Sequence, residues 1–335
     1  MIKLISPKDK AVINLLTDIQ KNFIENEEFR KNVDGGETYH WCNIKRETEE
    51  CSIPLPVVFE WESDCDCTIE ISQNIDFANC REYHGEKNAD AYNLLYGITY
   101  YWRLKGTNGE ISEVRSFKIE ETPRFIYVDG ITNVRDIGLS SITQRQIKQG
   151  LFYRGTEFNI HADITEKGLL ALKNDIHLKT DLDVRGGEIK DIKESPAEKI
   201  GAQWINIPMS GYSGIFYDKL KENTYRMFEF LSDKSAYPLY THCWGGADRT
   251  GCLCLMVEAL LGVEMSDLLL DYELTSLSVW GVRTRNYSEF IKFVDRISSF
   301  GSENDSFSAK TRICLTEHFK ISENTLDDIY NILKI

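Results

Sequence analysis

The sequence predicts an N-terminal antiparallel β-sandwich followed by an α/β domain whose mostly parallel central sheet is flanked by helices. Three observations predict it. Short runs of alternating apolar and polar residues, separated by Gly and Asn turns, fill much of the first 122 residues. From Pro123 onward, strand-like runs alternate with helix-like ones, the pattern of a parallel sheet with crossover helices. Glu120-Glu121-Thr122-Pro123 lies between the two patterns, so domains are expected at 1–122 and 123–335. At about 100–200 residues per domain, a chain of 335 residues fits two.

In the first part, Val57–Glu62, Cys67–Ser72, Gly97–Lys105 and Val114–Ile119 read as strands, and Gly106-Thr107-Asn108-Gly109 as the turn after the third. The polar stretch from Gln20 to Glu50 reads as an insertion with some helix. In the second part, Thr165 is placed to cap a helix over Glu166 to Lys173. Thr180–Val184 reads as a strand ended by Gly186-Gly187, and Trp204–Ile207 as another. Asp218–Leu231 carries apolar residues at helical spacing. Leu239-Tyr240-Thr241 is a short apolar strand, followed by a glycine-rich turn and the helix Thr250–Leu261, closed by Gly262. The tail from Ser266 is largely helical, interrupted near Gly301–Asp305.

Composition narrows the function classes. The net charge is −14, from 39 basic and 53 acidic residues, which argues against nucleic acid or an anionic membrane as partner. No apolar run is long enough for a transmembrane helix. The N-terminus lacks the apolar stretch of a signal peptide. Localisation stays unknown from the sequence: cytoplasmic as the sequence stands, periplasmic or secreted if a leader has been removed. Nine cysteines, an odd number, do not read as a disulfide scaffold. Cys65 and Cys67, with His40, Cys42 and His84 near in sequence, match no standard zinc spacing.

The chemistry concentrates in His242-Cys243-Trp244-Gly245-Gly246-Ala247-Asp248-Arg249-Thr250-Gly251, between a strand and an apolar helix. Successive backbone N–H groups from Trp244 to Arg249 can turn inward as a nest for an anion. Gly245 and Gly246 permit the torsions and close approach that such a nest requires. The following helix adds its positive N-terminal end. Arg249 offers a planar fork that matches two phosphate oxygens. The same field favours the thiolate of Cys243, the reactive form of the side chain. The expected reaction is attack of that thiolate on phosphorus, giving a phosphocysteine that water then hydrolyses. Thr250 is placed to hydrogen-bond the sulfur. Trp244 is either a surface for an aromatic substrate ring or a wall. His242 reads as a structural partner of the loop, and Cys252 and Cys254 as core residues of the helix.

His-Cys-x5-Arg-Thr-Gly resembles the phosphate-binding loop of the cysteine-dependent protein tyrosine phosphatases. Gly-x-Asp-Arg-Thr-Gly is similar, more narrowly, to a bacterial branch with Asp before the loop arginine. Asn133-Val134-Arg135-Asp136-Ile137-Gly138, Leu151-Phe152-Tyr153-Arg154-Gly155 and Asp181-Leu182-Asp183-Val184-Arg185-Gly186-Gly187-Glu188 resemble further motifs of that branch, in order. The resemblance spans roughly residues 124–335. It implies a phosphatase that needs no metal or organic cofactor, with Asp248 as general acid; Asp218 is the reserve candidate. The stretch Ile205–Gly214, where many relatives carry that acid, holds no carboxylate. Ala247 departs from the lysine of phosphoinositide-active members, which lowers that substrate class. The first part resembles a fibronectin type III domain and is expected to bind another protein or to pack on the phosphatase domain.

The function expected is phosphate monoester hydrolysis, on a phosphotyrosine-containing protein or a small phosphorylated substrate. Two alternatives stand beside it: an inositol polyphosphate or phosphoinositide phosphatase, and a non-catalytic phosphate-binding adhesion or scaffold protein.

Overall fold

The structure is a computed structural model that describes residues 2–33, 50–139 and 147–335. The chain divides into two units, Met1–Thr17 with Pro54–Thr122, and Asp18–Ile53 with Pro123–Ile335.

The first unit holds eight strands: β1 (Lys3–Ser6), β2 (Ala11–Ile13), β3 (Val57–Glu62), β4 (Cys67–Ser72), β5 (Arg81–Gly85), β6 (Asn88–Ala91), β7 (Thr99–Gly106) and β8 (Arg115–Ile119). They form two sheets, ordered β1-β3-β6 and β2-β8-β7-β4-β5. The pairs are antiparallel, as expected, except that β2 runs parallel to β8. Along β3 buried and exposed residues alternate without a break, so its Val57, Phe59 and Trp61 all point inward. Phe59 of one sheet meets Trp102 and Phe117 of the other edge-on, at ring-centroid distances of 4.9 and 5.7 Å. These aromatic contacts join the two inner faces into a sandwich core.

The second unit begins with α1 (Asp18–Glu25) and α2 (Glu27–Lys31), the helices expected in the polar stretch. That stretch does not belong to the sandwich, as a single cut at 122/123 would have it. Arg30 of α2 is buried and pairs at 3.0 Å with the buried Glu273, 243 positions away. Gln20 donates to the carbonyls of Cys51 and Ile53, closing the segment on itself.

The central sheet is ordered β13-β12-β14-β11-β10-β9. Its strands are β9 (Arg124–Phe125), β10 (Arg135–Asp136), β11 (Phe152–Gly155), β12 (Thr180–Asp183), β13 (Gln203–Asn206) and β14 (Leu239–His242). The four strands from β13 to β11 are parallel, and β10 and β9 add an antiparallel edge. Neighbouring strand residues face opposite layers. Phe152 and Leu239 enter one core, and Tyr153 and Tyr240 enter the other.

The helices are α3 (Glu166–Asn174), α4 (Lys221–Leu231), α5 (Asp248–Leu260), α6 (Met265–Leu274), α7 (Ser288–Ser298), α8 (Phe307–Ile313) and α9 (Glu323–Leu333). Thr165 caps α3 by accepting from the Gly168 N–H. The helix expected from Asp218 starts with a 3-10 turn and becomes α-helical at Lys221. α5 is buried on every side from Thr250 to Leu260, so it is the core helix of the unit. Burial pushes its Cys254 thiol up to about 12 and that of Cys252 higher still, so both act as apolar packing groups. Among the described residues no helix is long and apolar enough to cross a membrane.

Candidate active site

The site forms where the sheet ends. β14 lies between β12 and β11, and His242 is in register with Asp183 on one side and Gly155 on the other. The chain leaving all three strands therefore converges at one carboxyl edge, where open α/β sheets bind ligands.

The loop after β14 is shaped by what holds its carbonyls. The Cys243 carbonyl faces His242 Nδ1 at 3.1 Å. The Trp244 carbonyl accepts from the Glu157 N–H at 3.1 Å. Asn133 Nδ2 donates to the Gly245 carbonyl at 2.9 Å. Arg154 Nη2 donates to the Gly246 carbonyl at 2.7 Å, and the Ala247 carbonyl accepts from the Gly251 N–H at 2.9 Å. Five successive carbonyls are thus turned out into the protein. In a planar trans peptide the next residue's N–H points the opposite way. The N–H groups of Trp244 through Asp248 are therefore directed into the loop, and among the described residues no protein group accepts from them.

Both glycines are needed. Gly246 has φ +64°, and a Cβ there would lie 2.0 Å from the Gly155 carbonyl oxygen. A Cβ on Gly245 would sit 2.8 Å from the Trp280 indole.

Cys243 lies at the base of the loop and is 3% exposed. Burial pushes its thiol up, but the polar Thr250 side chain and N–H and the charge of Arg249 outweigh burial and hold it below the ordinary value. The Thr250 hydroxyl is buried and has no hydrogen-bond partner among the described residues. His242 is buried and ion-paired with Asp181 at 2.8 Å. Burial lowers its pKa, and Asp181 and then Asp183 raise it more, to about 9. It is an imidazolium that braces the loop.

The brace extends inward. Asp271 of α6 pairs with Arg135 Nε at 2.7 Å and with Arg154 Nη1, and all three side chains are buried. Arg135 Nη1 donates to Asn133 Oδ1 at 2.7 Å, so the two arginines and Asn133 form one network behind the loop. The model of the family described as "Tyrosine phosphatase family" matches residues 126–333. The chain belongs to the tyrosine phosphatase family.

No curated protein matches this tyrosine phosphatase family chain. Among solved structures it is similar to the core catalytic domain of the PP-IP phosphatase SIW14 from S. cerevisiae, solved with citrate. The identity is 16% and the TM-score 0.32, covering 52% of this chain and 93% of that one. A second structure, of the Siw14 catalytic core, is 17% identical with a TM-score of 0.32, covering 52% and 92%.

The phosphatase's charged loop residues are both engaged. Arg249 Nη1 pairs with Glu188, which follows β12. Asp248, the first residue of α5, is gripped by Arg283: Nε meets Oδ1 at 2.7 Å and Nη2 meets Oδ2 at 2.8 Å. The Tyr212 hydroxyl donates to Oδ1 as well. Burial raises the Asp248 carboxyl, but Arg283 and then Tyr212 bring it below the usual carboxylate range. Asp218 is elsewhere. Its side chain is 94% exposed and pairs with Lys221 at 2.8 Å, with no contact to the loop. Trp244 is half-buried, with the Arg185 guanidinium 4.8 Å over its ring and His161 edge-on at 4.8 Å.

The expected residues Cys243 to Thr250 thus share one loop and helix start, whereas Asn133, Asp271, Tyr212, Trp280 and Arg283 enter the site from elsewhere. Asp271 had a sequence signal, a lone acid within Leu268-Leu269-Leu270-Asp271-Tyr272. Arg283 had none. Of the residues compared with zinc spacings, His40 and Cys42 lie outside the described residues. Cys65 and Cys67 both contact Ser63 Oγ, at 3.6 and 3.3 Å, and the eight described cysteines are free thiols.

Proposed function

We propose that this phosphatase hydrolyses aryl phosphate monoesters, phosphotyrosine in a protein first among them. Cys243 is the nucleophile. The N–H groups of Trp244, Gly245, Gly246, Ala247 and Asp248, with Arg249, bind the phosphoryl oxygens, and Thr250 stabilises the sulfur as thiolate and as leaving group. Asp248 is the general acid for the departing oxygen. The observation that carries this reading is the outward anchoring of five successive loop carbonyls, which leaves the opposed N–H groups free for an oxyanion beside a thiol of lowered pKa.

Two features support the aryl class. Trp244 and Trp280 are half-buried next to the nest and supply flat apolar surface. The alternative, an inositol polyphosphate or phosphoinositide, needs cations for further phosphates. Ala247 offers none, and Arg283 directs its N–H groups to Asp248 and to the carbonyls of Trp280 and Val282. Within the same proposal the first unit, fibronectin type III-like in its strand pattern, serves to bind another protein.

The test is turnover by the purified chain. A phosphotyrosine peptide is expected to be hydrolysed faster than an inositol polyphosphate or phosphoinositide at equal concentration, and Cys243→Ser to abolish turnover. A faster rate on the inositol substrates would reverse the substrate assignment. Turnover that survives in Cys243→Ser would remove the nucleophile.

A further inference from the structure

Asp248 is surrounded by donors on parts of the chain that the phosphate loop does not include. Arg283 comes from the connection between α6 and α7. Its guanidinium takes both carboxylate oxygens in a fork, while Nη1 faces the carbonyls of Trp280 and Val282 at 3.4 and 3.1 Å. Its main chain is pinned on both sides by one hydroxyl: the Arg283 N–H donates to Ser276 Oγ at 2.9 Å, and Ser276 Oγ donates to the Arg283 carbonyl at 2.8 Å. The connection is tied down further. Thr284 and Asn286 donate to the Val33 carbonyl, and Arg285 pairs with Glu273 at 2.6 Å and with Glu27 at 3.3 Å. A cation held this firmly fixes the direction and charge of the carboxylate that it grips.

The other groups facing Asp248 are few. Tyr212, from the turn after β13, donates its hydroxyl to Oδ1 and meets the Tyr272 hydroxyl of α6 at 2.8 Å. Its N–H donates to Cys252 Sγ of α5 at 3.1 Å. Arg249 on the same helix and Cys243 in the loop complete the charged surroundings. The segment Ile205–Gly214 holds no acid of its own, and it supplies Tyr212 to the acid of the loop.

We infer that Arg283 is the positioning residue of the acid step: its fork fixes the aim of Asp248 and holds the carboxylate that remains once the proton has gone to the leaving oxygen. The inference rests on Asp248 being the general acid. In the step, the Cys243 thiolate attacks phosphorus and the S–P bond forms as the bond to the leaving oxygen breaks. That oxygen takes the Asp248 proton and departs as the alcohol or phenol. Cys243 carries the phosphoryl group, and Asp248 is left as a carboxylate on Arg283. A partner that stabilises this product form speeds proton donation, and for the same reason empties the protonated form at a lower pH.

The experiment is kcat against pH for the full chain with two substrates, p-nitrophenyl phosphate, whose leaving group needs little protonation, and phenyl phosphate, whose leaving group needs it. The variants are Arg283→Met, Arg283→Lys, Tyr212→Phe and Asp248→Asn. Arg283→Met is expected to move the basic limb on phenyl phosphate up by about one pH unit or more, a tenfold change in the acid's ionisation. It should also lower the phenyl phosphate plateau relative to that of p-nitrophenyl phosphate. Arg283→Lys should return part of the shift, and Tyr212→Phe should move the limb the same way by less; these two decide the matter if Arg283→Met does not fold. Asp248→Asn should lose about a hundredfold or more on phenyl phosphate alone. An unmoved limb in the Arg283 variants, with Asp248→Asn behaving as stated, overturns the role of Arg283. So does an equal loss on both substrates, which marks a merely structural residue. If Asp248→Asn slows both substrates alike, the acid assignment itself fails.

Discussion

Asp271→Asn tests whether the phosphate loop is held open by buried charge. The substitution keeps the side-chain volume and removes one negative charge from between Arg135 and Arg154, whose side chains are 2% and 0% exposed. Burial raises the Asp271 carboxyl, but the charges of the two arginines outweigh it and hold the carboxyl below the usual range. Breaking a buried pair by removing one partner costs about 3–5 kcal/mol, because the remaining charge is left buried without compensation. For a unit of this size each kcal/mol moves Tm by about 2–4 °C, so a fall of roughly 6–20 °C is expected. Asp271 has a folded pKa below its unfolded value of about 3.9, so its contribution is present above that pH and is lost as pH falls through the folded value. The native chain and the variant should therefore converge in stability as the pH drops below about 4. The assays are thermal unfolding across pH and kcat/KM on p-nitrophenyl phosphate, which should fall because Arg154 also anchors the Gly246 carbonyl. A variant within about 1 kcal/mol of native stability near neutral pH, well under the loss expected for a broken buried pair, would refute the reasoning.

Three further perturbations address the loop and its support. Thr250→Val removes a buried hydroxyl that lowers the Cys243 thiol; at about 1.5–3 kcal/mol for a hydrogen bond from that hydroxyl to the thiolate, the pH midpoint of iodoacetamide inactivation should rise by about one to two units, and an unchanged midpoint counts against any such bond. Gly246→Ala forces a side chain into φ +64° and against the Gly155 carbonyl; the backbone term alone is about 1–2 kcal/mol, and vanadate should bind about tenfold more weakly or worse, so native affinity would contradict the close approach. Arg30→Met removes a buried partner of Glu273, which keeps Arg285; a loss of about 1–3 kcal/mol in urea unfolding is expected, and no loss would mean that α2 does not support the unit.

Strands β1, β2, β5, β6, β9, β10 and β11 were not readable as strands, being two to five residues long. Strands β3, β4, β7, β8, β12, β13 and β14 were readable because alternation and turn residues are local, and β4 begins and ends where its sequence pattern does. The loop was readable for the same reason. Cys243 to Thr250 are contiguous, and a nest needs only successive N–H groups, two glycines and a helix start. The parallel pairing of β2 with β8 was not readable, because a three-residue strand has too little pattern to declare its partner.

What the sequence determined by itself is the chemistry of the loop: a thiol, an arginine and a run of amides within eight residues, which are close in space because they are close in the chain. What only the tertiary structure decided is the charge state and aim of those groups. Asp248 answers to Arg283, 35 positions on, and the loop carbonyls to Asn133 and Arg154, more than 90 positions back. The connection that carries Arg283 is tied to Val33, about 250 positions earlier. A pKa depends on distances in space, and sequence separation does not encode those distances until the chain has folded.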